Sequence, residues 1–227
     1  MSFQSIWEEL RRKGVQTARY PYEKIISFVM RYHPKEKNRE DIHILEIGCG
    51  AGNNLWALAL EGFKVYGIDG SQTAIEMAKD IFKKFQIEGD LRVGDFTEKL
   101  PYEDEKFDLV FDRGSITCVE YEDAKRTIQE VYRVLKKGGY FFFNPYSIFH
   151  TSYITAKNRA NNRYVLTENG SIAGTGYVCF YGMIEAMKII DQFEVLEFKE
   201  LILKDEINGH IHGEFEIICR KPATYSP

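Results

Sequence analysis

The stretch "HILEIGCGAGNNLWALALEGFKVYGID" at residues 43–69 carries the strongest structural signal in this chain. An apolar run leads directly into three glycines, Gly48, Gly50 and Gly52, and a second apolar run ends on Asp69. Glycines behind a strand let the backbone approach a ligand, and the following helix offers unpaired N–H groups. The pattern predicts a strand, a ligand-binding glycine loop (residues 48–52), a helix and a second strand.

The spacing of the glycines separates two classes of nucleotide ligand. A dinucleotide fingerprint, G-x-G-x-x-G, would place its third glycine where this chain has Asn53. Glu46 lies two residues before the first glycine, and a carboxylate there repels a diphosphate but attracts a cationic amino or sulfonium group. We therefore expect a positively charged nucleoside ligand rather than NAD.

Apolar strands and amphipathic helices alternate from about residue 41 to residue 144. One helix is predicted over residues 71–85, with Ser71 as its N-cap, and another over residues 122–136, where "KKGG" supplies the usual stop signal. This alternation is typical of a parallel sheet with crossover helices. The predicted strands are "IHILEIG", "FKVYGID", "DLRVGDF", "FDLVFD" and "YFFFN".

Three other segments complete the predicted organisation. Residues 1–40 contain two helical patterns and are predicted to form an N-terminal helical cap on a ligand-binding domain at residues 41–221. Residues 145–178 have no clear periodicity and are predicted to be an insertion over the substrate side of the sheet. The runs "FEVLEFKELIL" and "IHGEFEIICR", separated by "NGH", predict an antiparallel hairpin that closes the sheet.

Composition limits the classes of partner. The chain has 227 residues, 44% of them hydrophobic, and a net charge of -4, so we expect no nucleic-acid partner. Without a secretory leader or a membrane-length apolar run, we expect a cytoplasmic protein with no membrane partner, as a monomer or homodimer. The four cysteines form no CxxC pair, so neither a metal site nor a disulfide framework is expected.

The order of the motifs resembles one large family. "LEIGCGAGNN" is similar to the E/D-x-G-x-G-x-G motif of class I S-adenosylmethionine-dependent methyltransferases. Four further segments, "YGID", "VGDF", "FDLVFDRGSITCV" and "VYRVLKKGGYFFF", follow in that family's order, so the resemblance covers about residues 42–144. It implies an α/β, Rossmann-like, seven-stranded mostly parallel sheet with an antiparallel C-terminal hairpin, helices on both faces and S-adenosylmethionine as the cofactor.

The resemblance also implies roles for individual residues. Glu46 would support the loop and the ammonium end of the cofactor, and Asp69 would accept hydrogen bonds from both ribose hydroxyls. Asp95 would take the adenine amino group, while Phe96 would present its backbone N–H and ring to the base. Asp112 would lie near the methyl group. The full predicted cofactor-binding set is Glu46, Gly48, Cys49, Gly50, Gly52, Asn53, Asp69, Gly70, Asp95, Phe96 and Asp112.

Candidates for catalysis and acceptor binding rest on fewer signals. Asp112 and His150 are the predicted catalytic residues. Asp112 ends the fourth strand, and His150 follows the fifth strand on the side where open parallel sheets bind ligands. The predicted substrate residues are Tyr20, Tyr22, Tyr146 and His150. His210 and His212 flank the hairpin turn and are further proton-acceptor candidates. Six aromatic residues could form an acceptor pocket or pack as a lid: Tyr146, Phe149, Tyr153, Tyr164, Tyr177 and Tyr181.

Two local features have structural interpretations that we favour. Cys49 is a small apolar filler in the loop rather than a nucleophile, because no base adjoins it. The segment "NPYS" at residues 144–147 is similar to the N-P-P-Y segment of DNA and glutamine amino-methyltransferases. It follows the fifth strand instead of the fourth, however, and lacks the second proline, so we interpret it as a strand terminus.

The sequence therefore favours methyl transfer to a small polar metabolite by in-line displacement. A sugar or sugar-linked acceptor is one option, because the chain is loosely similar to methyltransferases associated with bacterial surface polysaccharides. Two alternatives stay open: a nicotinamide-dependent oxidoreductase, and a module that binds the cofactor without catalysis.

Overall fold

A computed structural model describes residues 5–15 and 17–223, so residues 1–4 and 16 of the predicted cap lie outside the described part. One sheet of seven strands forms the centre, in the order β3-β2-β1-β4-β5-β9-β8. Its strands are β1 (His43–Ile47), β2 (Lys64–Asp69), β3 (Asp90–Val93), β4 (Phe107–Asp112), β5 (Leu135–Phe143), β8 (Glu194–Lys204) and β9 (Ile211–Arg220); a separate pair is β6 (Tyr164–Leu166) with β7 (Tyr177–Cys179).

Strand direction confirms the predicted α/β, Rossmann-like sheet. Strands β1 to β5 pair in parallel, and the carboxyl ends of β1 to β4 therefore lie along one edge. β9 is antiparallel to both of its neighbours, which makes β8 parallel to the first five strands. The C-terminal hairpin thus closes the sheet as the sequence predicts.

Helices cover both faces of the sheet, and each face has its own apolar core. The described helices are α1 (Ser5–Arg12), α2 (Glu23–Tyr32), α3 (Leu55–Leu60), α4 (Gln72–Phe85), α5 (Tyr121–Val134), α6 (Thr151–Ile154) and α7 (Met183–Ile189). None of them is long and apolar enough to cross a membrane. Alternate residues of β4 separate the two cores: Val110 packs with α5 and α7, whereas Leu109 and Phe111 pack with α2, α3 and α4.

The predicted helix end at residue 136 is wrong, because α5 ends at Val134 and β5 begins at the next residue. Leu135 is fully buried and pairs with Phe107. Lys136 reaches the Asp108 carboxylate at 2.7 Å. Burial of Leu135 and this ion pair favour an extended backbone, so the "KKGG" segment forms an irregular start to the strand instead of a helix terminus.

The insertion contains structure that its sequence did not predict. β6 and β7 pair in an antiparallel manner over three residues each. A small apolar cluster of Val165, Ile172, Val178 and Phe180 stabilises this pair. Three-residue strands are too short to show an alternating pattern, which explains why the segment has no visible periodicity.

β8 is an edge strand of the sheet. Most of its residues are exposed or half-buried, and charged side chains recur along it at Glu194, Lys199 and Lys204. The turn to β9 spans residues 205–210, longer than the predicted "NGH". The Asp205 carboxylate holds it by accepting a 2.8 Å hydrogen bond from the backbone N–H of Ile207.

Candidate active site

A cavity lies along the carboxyl ends of β3, β2, β1 and β4, where open parallel sheets place their ligands. Most of the predicted cofactor residues line it. They are Glu46, Gly48, Cys49, Gly50, Asn53, Asp69, Gly70, Asp95 and Phe96. Residues that the sequence did not single out join them, among them Trp7, Arg11, Asn54, Arg113 and Ser115.

Glu46 places an incompletely bonded carboxylate in this cavity. The residue is 2% exposed, and its Oε1 accepts a 2.7 Å hydrogen bond from Nδ2 of Asn54. Oε2 is buried and has no hydrogen-bond partner among the described residues. Burial raises the pKa of this carboxyl well above its usual value. A cationic amino group would supply both the missing hydrogen bonds and the opposite charge.

The glycine loop needs its glycines for two different reasons. Gly48 has φ of +65°, and a Cβ there would lie 2.2 Å from the side chain of Ser115. Ser115 in turn donates a 3.0 Å hydrogen bond from Oγ to the Gly48 carbonyl. Gly52 does not line the cavity; a Cβ there would lie 3.1 Å from Cβ of Ala78, so Gly52 lets α4 pack against the loop.

Asp69 joins the loop to the second strand. Its Oδ2 accepts a hydrogen bond from the backbone N–H of Gly50 at 2.8 Å, and its Oδ1 accepts one from Ser71 at 2.8 Å. Burial raises the pKa of this carboxyl. Each carboxylate oxygen has a second lone pair, so the side chain can still accept hydrogen bonds from a vicinal diol in the cavity.

Asp95 and Phe96 line the far end of the cavity beyond β3. Oδ1 of Asp95 accepts hydrogen bonds from the backbone N–H of Thr97 at 3.0 Å and from its hydroxyl at 2.7 Å. These bonds fix the turn and place a carboxylate beside an aromatic ring. The pair suits a planar base with an amino substituent.

Helix α1, which belongs to the predicted N-terminal cap, covers part of the cavity, but the sequence singled out none of its residues. Trp7 and Arg11 line the cavity from this helix, and Nη2 of Arg11 lies 3.2 Å from where a Cβ on Gly50 would be. Glu8 attaches the helix to the first turn of α4, because its carboxylate accepts hydrogen bonds from the hydroxyls of Ser71 and Thr73 at 2.6 Å each. The amphipathic run "IWEELRR" is a signal that could have identified this contact.

Asp112 does not line the cavity. It is fully buried, and its Oδ1 accepts hydrogen bonds from the backbone N–H groups of Ser115 at 2.8 Å and Ile116 at 2.9 Å. Burial raises the pKa of Asp112 to about 6. The side chain therefore shapes the turn after β4, and through that turn it positions Ser115 against the glycine loop.

His150 is also fully buried away from the cavity, at the start of a hydrogen-bond chain. Its Nδ1 accepts a 3.0 Å hydrogen bond from the backbone N–H of Ser152, which leaves the proton of the neutral ring on Nε2. Nε2 donates to Oγ of Ser171 at 3.0 Å, and Oγ lies 3.0 Å from Nδ1 of His212. Nε2 of His212 lies 3.1 Å from Glu214. The chain joins the insertion to β9.

The predicted substrate residues separate in the structure. Tyr22 and Tyr146 line the cavity together with Arg113, and these three residues are called the acceptor end. The Tyr20 side chain is 68% exposed and lies outside the cavity, although its carbonyl accepts a hydrogen bond from Asn53. Of the six candidate aromatic residues, Tyr146 lines the cavity; the cavity does not include Phe149, Tyr153, Tyr164, Tyr177 or Tyr181.

The cysteines are free thiols in the structure. Cys49 is buried, its pKa is raised well above the usual value by burial, and its Sγ lies 2.7 Å from where a Cβ on Gly67 would be. It packs against the second strand, which is the filler role predicted for it. Within residues 5–15 and 17–223, no three metal-ligand side chains cluster.

The residues present fit S-adenosylmethionine. Glu46 has an orphaned oxygen for an amino group, and Asp69 and Asp95 offer acceptors for a ribose and an adenine. A nicotinamide dinucleotide would bring its negatively charged pyrophosphate to the glycine loop beside Glu46 and Asp69, which opposes that alternative.

Comparisons with known proteins agree with this geometry. Residues 45–143 match the family profile described as a methyltransferase domain. The chain is 30% identical to the tRNA N(3)-methylcytidine methyltransferase of Schizosaccharomyces pombe, over 66% of this chain and 49% of that protein. It is also 30% identical to a ubiquinone biosynthesis O-methyltransferase of Coxiella burnetii, over 51% of this chain and 48% of that protein. The chain thus spans about half the length of these relatives.

A solved structure shows the same fold. The S-adenosylmethionine-dependent methyltransferase from Methanosarcina mazei superposes with a TM-score of 0.73 at 23% identity, covering 90% of this chain and all 100% of that one. The matched residues include the carboxyl end of β1 and the whole of β2 to β5, and therefore the strand ends that form the cavity. The profile match identifies a methyltransferase domain at residues 45–143, and the described chain has the fold of the Methanosarcina mazei S-adenosylmethionine-dependent methyltransferase.

Proposed function

We propose that this chain transfers a methyl group to a small polar metabolite, and that a sugar or sugar-linked molecule is the first acceptor class to test. The observation that carries the proposal is the orphaned Glu46 oxygen in a cavity that continues to a separate acceptor end. Side chains from the N-terminal segment (Tyr22), the turn after β4 (Arg113) and the segment after β5 (Tyr146) form that end. Walls from three parts of the chain suit a small molecule.

S-adenosylmethionine, when bound, supplies a methyl group that its sulfonium already makes electrophilic. The protein's contribution is then to bind, orient and desolvate. Holding the acceptor in line is worth roughly 7 to 11 kcal/mol in a well-fitted site. Ser115 and Asp69 fix the glycine loop from two sides, so the loop is already arranged for the cofactor.

In this proposal Asp112 and His150, which were predicted to be catalytic, have structural roles instead. Asp112 acts through the turn that it holds and is a positioning residue. His150 attaches the insertion and does not contact the acceptor. Burial raises the pKa of Tyr146 to about 12, so its hydroxyl stays protonated and serves as a hydrogen-bonding group rather than a base.

The proposal is tested by incubating the protein with methyl-labelled S-adenosylmethionine and a metabolite extract. Mass spectrometry then searches for a labelled product in the small-molecule fraction. We expect a labelled metabolite with the wild-type chain and a large loss of label with Asp69→Asn, because an amide nitrogen cannot accept the hydrogen bond from Gly50 or from Ser71. Glu122→Gln, on the exposed side of α5, is the matched control and should retain activity.

Two results would count against the proposal. Label that enters only the RNA fraction would replace the small metabolite with a polynucleotide acceptor, the substrate of the Schizosaccharomyces pombe relative. Binding of S-adenosylhomocysteine without any labelled product in a complete extract would favour the cofactor-binding module instead.

A further inference from the structure

Arg113 is the first residue after β4, and its side chain lines the acceptor end of the cavity. Its guanidinium carbon lies 4.2 Å from the ring centroid of Tyr22, and the group also interacts with the Tyr146 side chain. Stacking on an aromatic face fixes the plane of a guanidinium while leaving its N–H edges for other partners. No sequence motif indicates a role for this residue.

Within residues 5–15 and 17–223, Arg113 forms no ion pair with a carboxylate. Glu214 interacts electrostatically with the Arg113 charge from a distance. Its carboxylate already pairs with His212 at 3.1 Å and with Lys24 at 3.5 Å. By contrast, the half-buried Arg133 is paired with both Glu130 and Asp104. Both arginines are half-buried, and a cation withdrawn from water favours charged, hydrogen-bonded partners, so Arg113 lacks the kind of partner that Arg133 has.

The position of Arg113 separates it from the two residues at the adenosyl end of the cavity. Asp69 ends β2 and Asp95 follows β3, whereas Arg113 follows β4, beside β1, where its charge also acts on Glu46. Tyr146, which follows β5, lies beside Arg113 in the cavity. A group bound by Arg113 would therefore belong to the methyl acceptor rather than to the adenosyl part of the cofactor.

We propose that Arg113 binds an anionic oxygen group, a carboxylate or a phosphate, on the methyl acceptor. This inference rests on the proposed function and narrows its substrate class to organic anions. The guanidinium fork matches either group through two parallel N–H···O bonds, and its fixed plane orients the acceptor as well as holding it.

Calorimetry on the protein saturated with S-adenosylhomocysteine tests the proposal with three probes: benzoate, inorganic phosphate and the neutral amide benzamide. We expect benzoate or phosphate to bind roughly 10- to 100-fold more tightly than benzamide, which is the usual contribution of hydrogen bonds between charged groups. The better of the two anions identifies the carboxylate or the phosphate source. Equal affinities for benzoate, phosphate and benzamide would overturn the proposal.

Variants show whether Arg113 is responsible. Arg113→Gln should remove the preference for the anions, and Arg113→Lys should keep part of it, because lysine retains the charge but not the fork. Arg126→Gln, which is exposed on α5, is the control and should behave as wild type. Unchanged anion binding in Arg113→Gln, or in Arg113→Lys if the glutamine variant does not fold, would also overturn the proposal.

One further measurement separates this inference from the cofactor site. The affinity of Arg113→Gln for S-adenosylhomocysteine should stay within about twofold of wild type. A loss as large as the loss of anion binding would assign Arg113 to the cofactor's carboxylate and overturn the proposal. If the wild-type chain binds no S-adenosylhomocysteine, the proposed function fails. Titration of the protein without cofactor with benzoate, phosphate and benzamide would then still test whether Arg113 binds anions.

Discussion

The carboxylate of Glu8 accepts a 2.6 Å hydrogen bond from the hydroxyl of Ser71, the residue that caps helix α4. Oε1 of Glu8 also accepts a hydrogen bond from the Thr73 hydroxyl. A negative charge at a helix N-terminus is favourable, and these bonds lower the pKa of Glu8 to about 2. The contact attaches α1 to the sheet domain and holds Trp7 and Arg11 at the cavity.

Replacing Glu8 should release α1. We expect Glu8→Gln to weaken S-adenosylhomocysteine binding by up to roughly tenfold, because α1 must then be ordered on binding. Tryptophan emission in a Trp56→Phe background would report the environment of Trp7. Glu9→Gln is the matched control, since among the described residues Glu9 pairs with Lys13 alone, on the surface. Identical affinities in Glu8→Gln and Glu9→Gln would contradict a role for the contact.

Acid should act on this contact in one direction. The Glu8 pKa is lowered in the folded protein, so its stabilisation is present above the ordinary value of 4.5 and is lost as pH falls towards about 2. Glu8→Gln should change the Trp7 emission already at neutral pH. The wild type should show the same change only in acid, when Glu8 takes up its proton. Emission that shifts in the wild type near neutral pH would rule this explanation out.

Glu46 should show opposite effects on stability and binding. Its pKa is raised by burial, so the unfolded chain loses this proton near pH 4.5 while the folded chain retains it, and stability falls as pH rises past 4.5. Glu46→Gln should remove that fall and raise the melting temperature at neutral pH. It should also weaken S-adenosylhomocysteine by roughly 10- to 100-fold, since the charged partner of the amino group is lost.

A truncated ligand provides the control for Glu46. Methylthioadenosine lacks the amino-acid part, so Glu46→Gln should leave its affinity unchanged in the same calorimetric assay. Equal weakening of both ligands would mean that the substitution disturbs the whole cavity rather than an ammonium contact.

Gly48 and Gly138 have similar backbone angles, so substituting each by alanine distinguishes backbone strain from a steric clash of the added Cβ. Gly48 has φ of +65° and Gly138 has φ of +76°, but a Cβ on Gly48 would meet Ser115 at 2.2 Å while one on Gly138 meets nothing within 4 Å. Gly138→Ala should cost about 1–2 kcal/mol of stability from backbone strain alone. Gly48→Ala should cost more and abolish S-adenosylhomocysteine binding. Urea unfolding and calorimetry would measure both, and equal costs would refute the collision.

His150 should make the protein less stable in mild acid. Burial lowers its pKa to about 4. As pH falls, His150 in the unfolded chain therefore becomes protonated near pH 6.5, whereas in the folded chain it becomes protonated only near pH 4. Stability should fall across that interval. His150→Gln should flatten the dependence of melting temperature on pH, whereas His210→Gln, in the exposed turn, should retain it. A wild-type slope in His150→Gln would show that burial of His150 is not the cause of the pH dependence.

The parts of the site that sequence could predict are the local ones. Glu46, Asp69, Asp95 and Phe96 each lie at or just after a strand, so the alternation of strands and helices was enough to bring them to one edge. Their positions at the cavity follow from topology and do not depend on how distant segments pack. Their roles towards the cofactor stay predictions.

The rest depended on tertiary packing that no local pattern encodes. Trp7 and Arg11 lie at the cavity on a helix that Glu8 attaches to Ser71, sixty-three residues further along the chain. Asp112 and His150 occupy sequence positions that favour a site, but backbone N–H groups nearby draw their side chains inward. The predicted end of α5 is wrong for a similar reason, because burial of Leu135 outweighs the local stop signal.

The outer strand β8 also affects how copies of the chain meet. A neighbour that extended the sheet at this margin would have to strip water from Glu194, Lys199 and Lys204, and alignment in register would oppose like charges. Natural sheets use such charged margins to resist fibre formation. Concentrated solutions of this protein should therefore remain free of cross-β aggregates while the sheet is folded.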